Sequence, residues 1–301
     1  MSFNFIRIKR ALVYRSARLF SDRKYLEILF PLRIGYPLNL DHPKTFNEKL
    51  QWLKLHDHRP EYTQMVDKVE AKKYVANIIG EEYIIPTLEV FESAEDIDFD
   101  IMPDQFVLKC THDSGSVIVC RDKSKLDKKK TKKILAKALN NNYFYAKREY
   151  PYKDVKPRIL AEQYLENPDG SALKDYKFYC FDGAPVYCQV ISDRQTRTSM
   201  DFFDRNWLHQ PFHKTKGYPF AEKLPKRPIN HALMLNLAAR LSSGHPFLRV
   251  DFYEIDGQVY FGELTFYPAS GMGAFSPMEW DYKFGELIHL PERYDIGGVA
   301  Y

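Results

Sequence analysis

The chain has 301 residues, 45% of them hydrophobic and 28% charged, enough for one large or two modest globular domains with real cores. Its net charge of +4 is too small to argue for nucleic acid and is compatible with an anionic substrate. No apolar run approaches the roughly 18 residues needed to cross a bilayer.

In chain order, residues 3–20 mix Arg7, Lys9, Arg10, Arg15 and Arg18 with apolar residues at helical spacing. Such a basic amphipathic helix either packs on its own domain or rests on an anionic membrane surface; it lacks the apolar core and cleavage site of a signal peptide. Helices are expected to continue to about Leu55, interrupted by turns at Pro31, Pro37 and Pro43. Another helix is expected from Asp67 to Ile79, ended by Gly80. Strands follow at 106–110 and 117–120, with the polar loop 111–116 between them. The lysine-rich stretch 123–133 reads as a solvated helix face. A strand at 159–165 runs into an Asn-Pro-Asp-Gly loop, and strands 175–181 and 185–191 join at Asp182-Gly183. A helix at about 229–241 precedes a hairpin, 248–253 and 259–266, turned at Asp256-Gly257. This order fits α+β architecture with antiparallel sheets better than a doubly wound parallel sheet. Cys110, Cys120, Cys180 and Cys188 lie in strand-like runs without C-x-x-C or zinc spacing. They read as buried free thiols in a reducing, cytoplasmic setting.

The last hairpin carries the most chemistry. Antiparallel pairing would bring Asp251 and Glu263 to neighbouring places on the sheet. Two close carboxylates on an apolar sheet call for a cation between them, and Mg²⁺ with its oxygen ligands is the natural candidate. Arg249 projects from the same strand face as Asp251, which suits a site for phosphoryl groups. An ordinary amphipathic hairpin with solvated charges accounts for the same residues. The loop after Lys109 holds Ser114, Gly115 and Ser116 and can fold over phosphates with its N–H groups, or it can be a plain hairpin turn. Walker A and dinucleotide fingerprints are absent. Glu162, Tyr164 and Leu165 can form a strand that reads an adenine edge. Asp175 and Lys177 share a face, and Arg194 closes the following strand; each taken alone is a surface charge.

Taken together, Asp67-Lys68, Lys109 before a Ser/Gly loop, Glu162-x-Tyr-Leu, Asp175-x-Lys177, Arg249-x-Asp251 and Glu263-x-Thr265 resemble the ATP-grasp superfamily. Residues 40–52, 109–116 and Gly262-Glu263-Leu264-Thr265-Phe266-Tyr267-Pro268 look more narrowly like its teichuronopeptide-biosynthesis branch, found among bacterial surface-polysaccharide genes. The resemblance covers nearly the whole chain, from about residue 20 to Pro291. It implies two α+β lobes that grip ATP, with a helical segment at 1–65, a phosphate-binding lobe at 66–158 and a metal-binding lobe at 159–301. It implies an ATP- and Mg²⁺-dependent carboxylate–amine ligase whose substrates are a uronic acid and an amino acid. By the same resemblance Lys68, Lys109, Ser114, Gly115 and Ser116 would bind phosphates. Glu162, Tyr164 and Leu165 would meet adenine, and Asp175 the ribose. Asp251 and Glu263 would hold Mg²⁺, and Arg249, with Lys177 and Arg194, would serve the reaction. The superfamily usually has Asn where this chain has Thr265. A hydroxyl can still coordinate a hard ion, but the second-metal position is left open. A kinase on the same fold and a non-catalytic glycan-binding protein are the alternatives.

Overall fold

Two Asp-Gly turns set the larger part of the architecture. Asp182 and Gly183 (φ 46° and 79°), like Asp256 and Gly257 (φ 48° and 75°), take the left-handed conformations that a two-residue hairpin needs. The computed structural model describes residues 3–193, 197–214 and 217–291. Helices α1 (Phe3–Arg15), α2 (Asp22–Ile34), α3 (Phe46–His56), α4 (Glu61–Val66) and α5 (Glu70–Ile79) come first. Strands β1 (Thr87–Phe91), β2 (Phe106–Cys110) and β3 (Val117–Cys120) follow, then α6 (Lys128–Leu139) and α7 (Tyr143–Lys147). Next come β4 (Ile159–Gln163), β5 (Asp175–Phe181), β6 (Ala184–Ser192), β7 (Ser199–Asp204), β8 (His209–Gln210) and β9 (His213–Lys214). The described chain ends with α8 (His231–Ser242), β10 (Phe247–Ile255), β11 (Gln258–Thr265), β12 (Phe275–Ser276) and α9 (Glu279–Glu286).

The strands form a four-stranded sheet in the order β1-β4-β2-β3, a six-stranded sheet β11-β10-β5-β6-β7-β8 and a small pair β12-β9. The pairings within them are antiparallel, so the α+β expectation is met. The four cysteines are free and buried, as read from the sequence.

Each sheet has its own core. Leu135 and Ala138 of α6 pack on Phe106, Leu108, Ile159 and Ala161 of the small sheet. The large sheet is sandwiched by α8 on one side and by α3 and α9 on the other, around Phe46, whose ring meets those of Tyr179, Phe181, Phe247, Phe275 and Phe284. A Cβ on Gly285 would lie 2.1 Å from the Lys44 carbonyl oxygen, so only glycine lets α9 approach the start of α3 this closely. There Thr45 and Glu48 close a capping box, and Asp281 accepts from the Asn47 N–H at 3.0 Å.

Two sequence expectations are corrected. Pro31 lies inside α2, which continues to a left-handed Gly35 whose N–H bonds the Pro31 carbonyl; proline near a helix end forfeits only one bond. The strand beginning at Ile159, expected to open the second lobe, instead lies between β1 and β2 in the small sheet. The division of lobes is better drawn after Gln163.

Candidate active site

Register on the large sheet brings three charged side chains into one row. Lys177 of β5 lies opposite Asp251 of β10, and Asp251 lies opposite Glu263 of β11. From its turn outward the hairpin pairs Ile255 with Gln258 and Phe252 with Phe261. Continued unchanged, that register would set Asp251 against Gly262 and send Glu263 to the other face. A bulge at Gly262 adds the residue that restores the match. A Cβ there would sit 3.1 Å from the Asp251 carbonyl oxygen and 3.3 Å from the Tyr253 ring, so the site's geometry rests on a glycine.

The expected carboxylate pair is therefore formed, but the cation between the acids is Arg249. Its Nε donates to Asp251 Oδ1 at 2.7 Å and its Nη2 to Asp251 Oδ2 at 2.7 Å. The same Nη2 reaches Glu263 Oε1 at 2.6 Å and Thr265 Oγ1 at 2.9 Å. Lys177 adds an ion pair to Asp251 and another, at 3.4 Å, to Asp175. Burial pushes the Asp251 carboxyl up, against the pull of Arg249 and Lys177. Burial also opposes ionisation of Glu263, but Arg249, Lys177 and Lys68 outweigh it and hold that carboxyl at about 2.

The small sheet supplies the opposite wall. Lys109 of β2 and Lys72 of α5 both pair with the buried Glu162 of β4, Lys72 at 3.1 Å. Burial raises the Glu162 carboxyl, and the two lysines more than reverse this. Just ahead of α5, Asp67 accepts from the Val69 and Glu70 N–H groups at 2.9 and 3.3 Å and is itself held by Arg158 at 2.9 Å. This fixes Lys68, whose ammonium donates to the Asp113 carbonyl and whose charge burial disfavours. In the loop above, Gly115 has φ 128° and the Ser116 hydroxyl bonds Asp113.

Between the walls lies a cavity of about 580 Å³, of the size that takes a nucleotide-scale ligand. It is lined by Lys68, Lys109, Ser114, Gly115, Glu162, Tyr164, Leu165, Asp175, Lys177, Asp251 and Glu263, eleven of the residues named from sequence. Val117 and Val119 present exposed apolar faces to it. A second cavity of about 190 Å³ adjoins it, sharing Ser114, Tyr152 and Glu263. Arg249 and Thr265 line this smaller chamber, not the larger one. Ser116 lines neither, and Arg194 lies outside the described residues.

Sequence reasoning passed over Lys72, Tyr152, Glu149 and Lys54. Lys72 follows Lys68 by four residues, a helical spacing that could have flagged it. Gly262, a glycine inside a strand, was likewise a readable sign of a bulge. Glu149 and Lys54 carry no such mark. Lys54 is buried and donates to Gln51, to the carbonyl of Lys147 at 2.9 Å and to the carbonyl of Ser270 at 2.8 Å. Burial pulls its ammonium down to about 7, with Glu149 working the other way, and burial pushes the Glu149 carboxyl up against Lys54.

Among the described residues no cluster of three or more His, Cys, Asp or Glu exists to hold a metal by itself. Asp251, Glu263 and the Thr265 hydroxyl form an all-oxygen donor set with few ligands. That set fits Mg²⁺, which keeps several waters and takes phosphate oxygens for the rest of its shell.

Known proteins give these residues a context. No curated protein matches the chain. Similar solved structures include the D-alanine–D-alanine ligase from Bacillus anthracis complexed with ATP, at 17% identity and a TM-score of 0.37, covering 67% of this chain and 53% of that one. Others are D-alanine–D-alanine ligase from Helicobacter pylori (15%, 0.35, 75% and 61%) and a RimK domain ATP-grasp protein from Sphaerobacter thermophilus (12%, 0.38, 75% and 69%). The chain thus spans about half the length of the first ligase. The sequence model described as TupA-like ATPgrasp matches residues 48–289, most of the chain. The chain belongs to the TupA-like ATP-grasp family.

Proposed function

We propose that this chain is an ATP- and Mg²⁺-dependent ligase that joins a carboxylate to an amine through an acyl phosphate, with a uronic acid and an amino acid of a bacterial surface polysaccharide as its substrates. The observation that carries this reading is the row Lys177–Asp251–Glu263 with Arg249, set where the two chambers meet beneath the Ser114 loop. Family membership supports ATP as the phosphoryl donor. The polysaccharide setting rests on the family resemblance.

A carboxylate does not accept an amine directly, because it is anionic and has no leaving group. Its oxygen attacks the γ-phosphorus, ADP departs, and the acyl phosphate then offers phosphate as leaving group to the amine nitrogen. Lys68, Lys109, Ser114 and Gly115 would hold the phosphates, with Glu162, Tyr164 and Leu165 along the base and Asp175 at the ribose. Lys72 and Lys109 hold Glu162 in place, while Arg249 and Lys177 favour the charged form of Asp251 against its burial. Arg249 would offset charge on the transferred group. Asp251, Glu263 and Thr265 would hold Mg²⁺, which when bound screens the negative charge of the phosphates. The loop at 111–116 would exclude water from the mixed anhydride.

We further propose that α1 meets an anionic membrane surface. Ile8, Leu12 and Leu19 in the N-terminal helices are exposed beside Arg10 and Arg18. No helix among the described residues is long and apolar enough to cross a membrane.

The test is ADP release from the full chain with ATP, Mg²⁺ and pairwise mixtures of uronic-acid glycans and amino acids. Release is expected only when both a carboxylate and an amine are present. Asp251→Asn and Glu263→Gln should each lower it by on the order of 10²–10³-fold. Release that ignores the amine would replace the ligase reading with a kinase.

A further inference from the structure

The smaller chamber holds about six waters' worth of space, too little for a sugar chain and enough for a molecule of several heavy atoms. Its walls carry charge of both signs. Glu149 is 4% exposed; Lys54, Ser270 and Tyr143 act on its carboxyl, but its Oε1 has no hydrogen-bond partner among the described residues, an expensive state for a buried oxygen. Arg33, from the last turn of α2, and Lys147, at the end of α7, also line the chamber; Lys147 Nζ lies 5.4 Å from the centre of the Tyr14 ring and attracts Glu149 across the chamber.

The floor is Ala269 and Ser270, both held at positive φ (52° and 59°), where residues other than glycine are strained. Lys54 locks this floor by donating to the Ser270 carbonyl and hydroxyl, at 2.8 and 3.1 Å, and to the Lys147 carbonyl on the next wall. Strain held by a buried lysine under a charged cavity is what a built binding site looks like.

We propose that this chamber seats the amine co-substrate as a zwitterion, with Glu149 accepting hydrogen bonds from its ammonium group and Arg33 and Lys147 taking its carboxylate. The assignment deepens the ligase reading and rests on it for the word co-substrate, but the chamber's ligand chemistry can be tested without turnover. Glu149 and Arg33 are then specificity residues, and Lys54 is a positioning residue. The chamber opens onto Arg249 and Glu263, where the acyl group would be activated.

The experiment is calorimetric titration of the full chain, without nucleotide, with each common L-amino acid up to about 20 mM. The best binder is then compared with its decarboxylated amine and its N-acetyl derivative. Each analogue is expected to bind at least ~10-fold more weakly, the loss of one charge-assisted hydrogen-bonded pair. Glu149→Gln should remove most of the penalty on the N-acetyl form only. Arg33→Gln, an exposed helix-end change that leaves the core untouched, should narrow the penalty on the decarboxylated form only. Absence of binding by every amino acid, analogues that bind as well as their parent, or variants that leave both penalties intact would each overturn the assignment. ATP affinity, titrated separately, reports on the ligase reading: its absence with amino-acid binding intact sinks that reading and spares this one.

Discussion

The two chambers share a partition and little else. The larger is walled by Val107, Val117, Val119, Leu160, Phe261 and Leu264, with charged side chains from both sheets among them. The smaller has ions and tyrosines on nearly every side. Apolar plates hold a flat ring by area and tolerate variation in what they hold. A close chamber set with fixed charges discriminates sharply, because a wrong ligand leaves a buried ion unpaired. On the reading proposed above, the larger chamber would carry the general chemistry and the smaller one the choice of substrate.

Removing the partition is expected to have the largest effect. Arg249→Met leaves Asp251 and Glu263 with Lys177 as their remaining strand-borne counter-ion and should lower stability by about 3–5 kcal/mol, read from urea unfolding. ATP with Mg²⁺ should restore more stability to this variant than to the parent chain. Gly262→Ala acts on geometry: pushing the Asp251 backbone away by a fraction of an ångström should lower turnover by ~10²-fold with a much smaller change in melting temperature. Val119→Asp separates the chambers, raising the KM for ATP by ~10-fold through lost apolar contact while the KM for the amine stays put. The smallest effect is in the acid limb of stability. Glu263 is held at about 2 in the folded chain against an ordinary value of 4.5. Its contribution is therefore complete above about pH 4.5 and is lost as pH falls toward 2. Glu263→Gln should unfold along a shallower slope in that window; an unchanged slope would show that the carboxyl is not held down.

How much of this was legible follows from sequence distance. The late hairpin spans fewer than twenty residues, and its alternation and Asp-Gly turn state the pairing locally, so Arg249, Asp251 and Glu263 could be named together. Lys109 and its loop were readable for the same reason. The glycine that sets the register was visible, yet its meaning depended on counting outward from the turn. The smaller chamber had no local signature. Arg33, Lys54, Glu149 and Ser270 come from a helix end, a buried helix face, a loop and a strained turn that only the fold brings together. The lobe boundary failed for a related reason: β4 follows the small sheet's other strands by nearly forty residues but inserts between two of them. The two core clusters make the lobes plain in the structure where composition did not.

Arg249 also bears on how the protein comes into being. Because the guanidinium neutralising the two acids belongs to the same strand as one of them, the nascent chain carries its own counter-charge and can complete this sheet before any ion or nucleotide arrives. On the proposed reading, loading would be an exchange of ion-pair partners at Asp251 and Glu263. The displaced arginine would then stand beside the incoming phosphate, so one side chain would first neutralise the acids and then receive the substrate.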